Sequence, residues 1–563
     1  MMFVRRARLA RAVLGVVFLA ITLVATGAER APGKAAIATA HPLATAAGHE
    51  ILDQGGNAFD AAVAVAAALA VVEPNASGLG GGGFFLLHRA SDSLDTMIDA
   101  REKAPGAASR DMYLDAQGNV IPGLSTDTAL AAGIPGELAG LDLLTKKYGK
   151  LPLSKSLQPA IRLANAGFPL YPRLQGGIRG KRDLFLRSPL TMQTFLVKGE
   201  VPPLGYVIRQ PELARTLTLI SREGADTFYK GALAKKLAAG VRKLGGIWTE
   251  QDLAEYTAIE RKPIIGQYRG ARVVSASPPA SGGIALVDAL NILEGFDLSR
   301  LDTVTRKHLV IEAMRRVHRD RADYLGDPDF VDVPVDRLIN KLYADGQRTS
   351  VSLDHALPSE WLPTTASRAN QGMHTTHFSV LDAEGNRAAV TITLNQWFGN
   401  GLTVPGTGIL LNNQMDDFSS KPGSPNGYKL IGAEANAIAP GKRMLSSSTP
   451  TFIESDRGLM ITGSPGGSSI IGMVLLATLD FMDGRSATDI VSAPRFHHQY
   501  FPDVVQFEPN ALTAGEQAEL IRRGHKLKQG QTWGNMQVIT WDYASGKVEA
   551  AADPRGFGEG AVY

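Results

Sequence analysis

The chain has 563 residues, of which 44% are hydrophobic and 20% are charged, and its formal net charge is +3. Such a chain can bury a large core, and its length alone would suggest several domains. The small net charge, with no basic stretch rich in aromatic residues beyond the N-terminus, argues against nucleic acid as a partner. The chain contains no cysteine, which excludes a disulfide framework, a thiol nucleophile and a lipid-modified cysteine.

The first 28 residues have the pattern of a secretory signal peptide. Four arginines between positions 5 and 11 precede an apolar stretch over residues 12–25, and three small residues follow it. The apolar stretch is short for a hydrocarbon core about 30 Å thick, so we favour cleavage over an uncleaved membrane anchor. We therefore expect the protein to be exported to the periplasm or the extracellular space.

Two alanine-rich segments follow and predict buried helices over residues 43–52 and 58–72. Gly78, Gly80 and Gly83 then satisfy the GxGxxG pattern of dinucleotide-binding loops. These glycines follow a helix and open an apolar strand over 84–87, which is the reverse of the order in a nucleotide-binding loop. We predict a tight backbone turn here and no bound nucleotide.

The middle of the chain, residues 124–312, is mainly helical in pattern, for example over 136–148 and 155–166, with short strands such as 271–275. The segment over 345–374 is polar and shows no helical or strand period. A structureless loop of this length is uncommon in a compact domain unless it is functional. We expect a tail that becomes flexible once the chain is cut, and a long surface loop is the alternative.

Thr375 and Thr376 open an alternating strand directly after this polar segment. A second alternating run ends at Thr393, and residues 383–385 between the runs suit a three-residue hairpin loop with Gly385 in the left-handed region. In that register Thr375 faces Thr393, whereas a slip of one residue would send Thr393 to the other face.

A threonine hydroxyl is a poor nucleophile unless a base lies close to it. A threonine at a new N-terminus supplies that base itself, because its α-amino group has a pKa of about 7.7–8.0. The strand start at Thr375 is therefore a candidate for a nucleophile that chain cleavage creates. Strand packing alone also favours β-branched residues at such a position.

Several strings along the chain closely resemble the γ-glutamyltransferase family, whose members are also called γ-glutamyl transpeptidases or glutathione hydrolases. The resemblance runs from about residue 32 to the C-terminus. The strings are Gly-Leu-Gly-Gly-Gly-Gly-Phe at 78–84, Asp-Ala-Arg-Glu-Lys-Ala-Pro at 99–105, Thr-Thr-His-Phe-Ser at 375–379, Leu-Leu-Asn-Asn-Gln-Met-Asp-Asp-Phe at 410–418, Leu-Ser-Ser at 445–447, Thr-Gly-Ser-Pro-Gly-Gly-Ser at 462–468 and Ala-Pro-Arg-Phe-His-His-Gln at 493–499.

This resemblance implies a fold of the α/β class, the αββα four-layer sandwich of the N-terminal nucleophile hydrolases. It also implies that Thr375 attacks the His374 carbonyl and cuts the chain. The products would be a large subunit of residues 29–374 and a small subunit of residues 375–563, packed together as one globular domain.

The implied site residues divide by task. Gly466 and Gly467 would form the oxyanion hole, and Tyr428 would belong to a lid over the pocket. The charged end of a γ-glutamyl group needs a cation and an anion held apart at a fixed geometry. By resemblance, its carboxylate would be bound by Arg101, Ser446 and Ser447, and its ammonium by Asp417, Asn395 and Gln414.

The expected reaction is cleavage of the γ-glutamyl amide of glutathione and related compounds through an ester on Thr375, followed by transfer to water or to an amino acid or peptide. A related acylase for glutaryl β-lactam side chains is the alternative, and an exported binding protein that never cuts itself is another. Phe378 and Trp397 depart from the family pattern, and the indole could reshape the acceptor side. We expect no cofactor and no metal ion, because neither His374 with His377 nor the pair at 497–498 has a third ligand at metal spacing.

Overall fold

A computed structural model describes residues 31–362, 364, 375–421 and 430–563 of the chain. The predicted signal peptide, the predicted scissile residue His374 and the predicted lid residue Tyr428 lie outside these residues. In the described part of the chain, no helix is both long enough and apolar enough to cross a membrane. Residues 31–563 form one compact unit by their contacts, so the several domains that length alone suggests are not found.

The helices of the described residues are α1 (Pro42–Asp53), α2 (Ala58–Val72), α3 (Glu137–Tyr148), α4 (Leu153–Ser156), α5 (Gln158–Ala166), α6 (Pro172–Phe185), α7 (Pro189–Phe195), α8 (Pro211–Glu223), α9 (Asp226–Tyr229), α10 (Ala232–Lys243), α11 (Glu250–Ala254), α12 (Gly282–Glu294), α13 (Thr303–Tyr324), α14 (Val335–Leu338), α15 (Lys341–Arg348), α16 (Ile470–Met482), α17 (Ala487–Ser492) and α18 (Ala514–Arg522).

The strands of the same residues are β1 (Ala36–Thr39), β2 (Gly82–Arg89), β3 (Leu94–Ala100), β4 (Phe168–Pro169), β5 (Val207–Ile208), β6 (Ile259–Arg261), β7 (Ile264–Tyr268), β8 (Ala271–Ser275), β9 (Thr376–Leu381), β10 (Arg387–Thr393), β11 (Thr403–Val404), β12 (Ile409–Leu410), β13 (Thr451–Ser455), β14 (Gly458–Gly463), β15 (Phe496–His497), β16 (Val505–Phe507), β17 (Leu527–Gln529), β18 (Gln537–Asp542), β19 (Val548–Ala552) and β20 (Glu559–Val562).

Two antiparallel sheets face each other at the centre of the fold. Among the described residues, the first sheet has the order β20-β1-β9-β10-β2-β3-β6 and the second has the order β19-β18-β14-β13-β8-β7. Apolar side chains such as Phe84, Leu86, Phe452 and Ile461 are buried between them. Side chains along each strand point alternately to the two faces of its sheet. Each sheet therefore also has an outer face, which must be covered.

Helices cover both outer faces. α1, α2 and α3 pack on the first sheet in a cluster that includes Phe85 and Val390. α12 and α16 pack on the second sheet, and α13 packs against α12, in a cluster that includes Val273 and Met460. The four layers confirm the αββα sandwich that the family resemblance implies.

The buried helix α2 begins and ends where the sequence predicts. Its fifteen residues are all buried, so hydrophobic burial stabilises it on every side. Asn57 and Asp60 form a capping box, in which each side chain accepts a hydrogen bond from the backbone N–H of the other residue. The cap therefore begins the helix at a defined residue.

The glycines that precede β2 form the tight turn that the sequence predicts, and they also allow a close approach of backbones. The Gly81 N–H donates to the Gly78 carbonyl at 2.8 Å, which closes the turn. A Cβ atom at Gly80 would lie 1.9 Å from the carbonyl oxygen of Leu410, and one at Gly81 would lie 2.1 Å from that of Thr393. Only glycine therefore fits where β2 meets the end of β10.

The predicted cut after residue 374 would divide both sheets between its two products. In the first sheet, β1, β2, β3 and β6 precede the cut, whereas β9, β10 and β20 follow it. β1 lies between β9 and β20, which both come from the C-terminal part. Neither product could complete its sheets alone, so both must remain packed together.

Two predictions for the middle of the chain are wrong in part. The helix predicted over 155–166 is broken into α4 and α5, with a proline in the first turn of α5. The polar segment after 345 is not structureless at its start, because α15 continues to Arg348. Further along, the Ser359 N–H donates to Asp503 Oδ2 at 3.0 Å and anchors this segment on the C-terminal part.

Candidate active site

The hairpin of β9 and β10 places two threonine hydroxyls together. Leu381 pairs with Arg387, and the register continues to Thr376 opposite Ile392. Gly385 in the connecting loop has φ 97°, which is the left-handed conformation expected there. Thr375 Oγ1 and Thr393 Oγ1 consequently lie 3.3 Å apart, which confirms the predicted register.

The backbone after β10 controls the orientation of the Thr393 hydroxyl. The Asn395 N–H donates a hydrogen bond of 2.8 Å to Thr393 Oγ1. This contact occupies one lone pair of the oxygen, so the hydroxyl proton is available for Thr375. Asn395 has φ 76°, and its side-chain amide donates to the Asn413 carbonyl at 2.8 Å, which holds the turn in place.

A small cavity lies against these hydroxyls and brings most of the predicted site residues together. The predicted residues that line it are Thr375, Thr393, Gly467, Arg101, Asn395, Gln414, Asp417, Ser446 and Ser447. They come from the ends of β3, β9 and β10, from the segment after β12, and from the loops that flank β13 and β14. The adjacent ends of the two sheets therefore build the site.

The predicted cation and anion of the cavity contact each other. Arg101 follows β3, is 1% exposed, and forms an ion pair with Asp417 through Nη2 and Oδ2. Two backbone carbonyls also accept from the guanidinium, that of Met444 at 3.1 Å and that of Leu445 at 3.2 Å. Gln414 Nε2 donates to Asp417 Oδ2 at 2.7 Å. The expectation that the two charges are held apart is therefore wrong for this structure.

The serine loop is fixed through its backbone. The Ser446 carbonyl accepts from both the N–H and the hydroxyl of Ser281, at 2.8 Å and 2.6 Å. Ser446 Oγ contacts Ser448 Oγ at 3.0 Å and accepts from the Ser448 N–H at 3.1 Å. The loop is thus rigid enough to present hydroxyl groups to one wall of the cavity.

The loop between β14 and α16 carries the two glycines that are predicted to form the oxyanion hole. Gly466 and Gly467 have φ values of 151° and 54°, which favour glycine. Gly467 lines the cavity, and α16 begins three residues later. A Cβ atom at Gly463 would lie 2.3 Å from His377 Cε1, so the two sheets approach closely here and bring the loop near Thr375. Backbone N–H groups and the helix N-terminus both favour a negative charge.

Sequence reasoning missed several residues that build this site. Asn412 and Asn413 belong to a string that carries the family resemblance, yet they received no role. Asn412 Nδ2 donates to the carbonyls of Gly80 and Gly133 at 2.6 Å and 2.8 Å. Asn413 Oδ1 accepts from the Gln396 N–H at 3.0 Å. These amides hold separate loops around the cavity.

Glu73 is another missed residue. It ends the apolar run of α2, and its carboxylate oxygen Oε2 accepts from Thr376 Oγ1 at 2.5 Å. Burial raises the pKa of the Glu73 carboxyl to about 7, although the positive charge of Arg173 opposes this shift. The available signal in the sequence was a charged residue directly after the apolar stretch that ends at Val72. Glu73 holds the residue next to Thr375.

The remaining predicted groups lie elsewhere or outside the described residues. His498 is buried, and its Nε2 contacts Asp503 Oδ1 at 3.1 Å. Within residues 31–362, 364, 375–421 and 430–563, no group of three His, Asp or Glu side chains could hold a metal ion. The roles predicted for His374 and Tyr428 concern residues outside the described part.

A family model for the γ-glutamyltranspeptidases matches residues 44–563 of the chain. The chain belongs to this family. The glutathione hydrolase proenzyme of Escherichia coli K12 is 43% identical to the chain over 92% of the chain and 90% of its own length.

Two solved structures have similar folds. The cephalosporin acylase from Bacillus halodurans has a TM-score of 0.82 and 29% identity, with 100% of this chain and 99% of that chain covered. The γ-glutamyltranspeptidase of Helicobacter pylori has a TM-score of 0.56 and 43% identity, with 57% of this chain and 93% of that chain covered. A cephalosporin acylase and a γ-glutamyltranspeptidase therefore both have folds similar to that of this chain.

Proposed function

We propose that the protein is a self-processing γ-glutamyltransferase that cleaves the γ-glutamyl amide bond of glutathione and related compounds. The observation that carries this proposal is one cavity that holds the paired hydroxyls of Thr375 and Thr393 together with the ion pair of Arg101 and Asp417. The hydroxyls provide a nucleophile with a hydrogen-bond partner. The charged pair provides groups of both signs for the free α-amino acid end of the donor.

The first step is cleavage of the precursor. Thr375 Oγ1 attacks the carbonyl carbon of His374, the C–N bond between the two residues breaks, and the acyl group moves from nitrogen to oxygen as an ester. Water then hydrolyses the ester, leaving a carboxylate on His374 and an amine on Thr375. The Escherichia coli relative is a glutathione hydrolase proenzyme, which supports such a step in this family.

The second phase is acyl transfer. Thr375 Oγ1 attacks the γ-amide carbon of the donor while the Thr375 amine takes the hydroxyl proton and passes it to the departing amine. The N–H groups of Gly466 and Gly467 stabilise the oxyanion of the tetrahedral intermediate. The γ-glutamyl ester on Thr375 then reacts with water or with the amine of an amino acid or peptide. The first acceptor gives hydrolysis and the second gives transfer.

On donor binding, the ion pair between Arg101 and Asp417 is replaced by two ion pairs with the donor. Arg101 and Asp417 neutralise each other within the cavity wall, where a lone charge would be costly. The carboxylate of a γ-glutamyl group can bind Arg101 while its ammonium binds Asp417 and its neighbours Gln414 and Asn395. Each protein charge then keeps a partner, so zwitterionic donors are favoured over donors with a single charge.

Gel electrophoresis under denaturing conditions with N-terminal sequencing tests the proposal. The wild-type protein should give two fragments, of which the smaller begins Thr-Thr-His-Phe, and should release the anilide from γ-glutamyl-p-nitroanilide. Thr375→Ala should remain one band and lose at least about 10³-fold in activity. Thr218→Ala on α8 is the control, because its hydroxyl donates to the Ala214 carbonyl of its own helix at 2.8 Å. A single intact band for an active wild-type preparation would reject the mechanism, and an intact, inactive one would favour the exported binding protein.

An acylase for glutaryl side chains is the second candidate, favoured by the structural similarity to a cephalosporin acylase. Glutaryl compounds carry the carboxylate and lack the ammonium, so Asp417 and Gln414 would have no ligand group to bind. We expect the γ-glutamyl anilide to be preferred over the glutaryl anilide by about 100-fold, which corresponds to one charged hydrogen-bonded contact. Equal rates for the two anilides would instead identify the acylase.

We also propose that the protein is exported and that its leader is removed near residue 28. The proposal rests on the arginines, apolar stretch and small residues of the N-terminus. N-terminal sequencing of the larger fragment from cells tests it together with fractionation. A start near Glu29 in the exported fraction supports cleavage, whereas a start at the initiator region in the membrane fraction supports an anchor.

A further inference from the structure

Arg321 of α13 reaches the same cavity as Thr375 and had no role in the sequence analysis. It is 5% exposed and lines the cavity beside Ser446, Ser447 and Gly467. Its Nε donates to Ser281 Oγ at 3.0 Å. Among the described residues, Ser281 is the hydrogen-bond partner of this guanidinium. The two terminal amino groups have no hydrogen-bond partner among these residues. A nearly buried guanidinium with unused donors is costly unless a ligand completes its contacts.

The charges of the cavity wall leave Arg321 without an anion of its own. The charged residues that line the cavity are two arginines, Arg101 and Arg321, and one carboxylate, Asp417. Asp417 forms its ion pair with Arg101. Glu102 lies 3.6 Å from Arg101, but burial raises the pKa of its carboxyl to about 8, so it is mostly neutral near pH 7.

Arg321 itself stays charged under the same conditions. Burial lowers the pKa of its guanidinium to about 10; the charge of Asp417 opposes this shift and that of Arg101 adds to it. The cavity wall consequently keeps one net positive charge near neutral pH. An anionic ligand group is what this wall lacks.

We propose that Arg321 is a second carboxylate-binding residue of the donor site, which works beside Arg101 on the free α-carboxylate of the γ-glutamyl group. The inference rests on the proposed γ-glutamyl activity. Ser281 connects the parts, because its hydroxyl accepts from Arg321 Nε and donates to the Ser446 carbonyl. Arg321 is thereby fixed to the loop whose serines are the other predicted carboxylate ligands. A planar guanidinium with two available amino groups suits a carboxylate.

Three donor anilides distinguish recognition of the donor carboxylate from recognition of the donor ammonium. γ-Glutamyl-p-nitroanilide has the carboxylate and the ammonium, glutaryl-p-nitroanilide has the carboxylate alone, and 4-aminobutanoyl-p-nitroanilide has the ammonium alone. For Arg321→Gln, we expect kcat/KM to fall about 10- to 100-fold with the two carboxylate donors, mainly through KM. The 4-aminobutanoyl anilide should change by less than about 3-fold.

Arg321→Lys provides a second form of the test that keeps the positive charge. Lysine lacks the planar fork, so the two carboxylate donors should lose an intermediate factor of about 3- to 10-fold. If Arg321→Gln does not mature into two fragments, Arg321→Lys is used to compare the three donor anilides. Arg306→Gln on the same helix is the matched control, because Arg306 forms a partly exposed ion pair with Asp483 and does not line the cavity.

The pattern across donors decides the question. Equal losses with all three anilides would mean that Arg321 only supports the loop, and unchanged kinetics in both variants would mean that it binds nothing; either result overturns the inference. Failure of the proposed function looks different, because the wild-type protein would then release no anilide from the γ-glutamyl compound. The inference is supported when the wild type is active and only the carboxylate donors respond.

Discussion

Thr375 Oγ1 and Thr393 Oγ1 lie 3.3 Å apart at the adjoining ends of β9 and β10. Antiparallel pairing fixes this distance, because the register that begins with Leu381 opposite Arg387 continues without a break to the end of the two strands. The second hydroxyl is therefore part of the sheet and needs no mobile loop to reach the nucleophile. Its proton can support Thr375 Oγ1 both before and after the chain is cut.

Thr393→Val should reduce catalysis while leaving the sheet intact. Valine keeps the shape of the side chain and removes the hydroxyl that contacts Thr375. We expect kcat to fall roughly 10- to 100-fold, with KM nearly unchanged, because the lost hydrogen bond serves the reacting oxygen rather than donor binding. Steady-state kinetics with the γ-glutamyl anilide measures this. Thr218→Val on α8 is the matched control, and a Thr393→Val enzyme with wild-type kcat would contradict the role.

Asp417→Asn should separate donors with an ammonium from donors without one. The substitution keeps the shape of the side chain and removes the charge that contacts Arg101. We expect kcat/KM for the γ-glutamyl anilide to fall about 100-fold, because the donor ammonium loses its anionic partner. The glutaryl anilide should react as fast as before or faster, since Arg101 no longer has a competing carboxylate.

The neighbouring carboxylate provides the control for this experiment. Asp416 accepts from Ser125 Oγ at 2.7 Å and does not line the cavity. Asp416→Asn should therefore leave the ratio of the two anilide rates unchanged. A parallel loss with both anilides in Asp417→Asn would show that the residue supports the fold of the site rather than reading the ammonium.

The parts of the site that the sequence could predict are governed by local rules. The alternating pattern and a three-residue loop with glycine set the register of Thr375 and Thr393, and an alanine-rich segment predicted α2. Both depend on residues close together in the chain. The family strings then supplied Arg101 and Asp417, whose positions are 316 residues apart.

The parts that could not be predicted depend on distant contacts. α13 carries charged residues on most of its faces, so no pattern marks Arg321 as the one that reaches the cavity. The direct contact of Arg101 with Asp417 depends on how the end of β3 meets the segment after β12. Glu73 acquires its raised pKa from the burial of its own carboxyl in the folded protein. Such properties arise from packing and are not present in any short stretch of sequence.

Gly467→Ala should weaken the proposed oxyanion site. Gly467 has φ 54°, where a Cβ atom adds backbone strain of about 1–2 kcal/mol, and it lines the cavity. A small shift of its N–H would reduce transition-state stabilisation, so we expect kcat to fall about 10- to 100-fold with KM less affected. Gly546→Ala is the control, because Gly546 has φ 69° and open space around its Cβ position. Equal kcat values for both variants would argue against the oxyanion role.

Glu137→Gln should change how stability depends on pH. Glu137 is 0% exposed at the start of α3 and forms no salt bridge within the described residues. Burial raises the pKa of its carboxyl from 4.5 to about 8, and the nearby Glu102 adds to the shift. The folded protein thus binds this proton more tightly than the unfolded chain does. The resulting stabilisation is complete below about pH 4.5 and is lost as the pH rises toward 8.

Glutamine stays neutral, so the apparent Tm of the variant should match the wild type near pH 5 and exceed it by about 2–5 °C at pH 8. Differential scanning calorimetry at one scan rate measures the difference, with the exposed Glu250→Gln as control. A Tm difference that stays constant from pH 5 to 8 would show that this carboxyl does not titrate with folding.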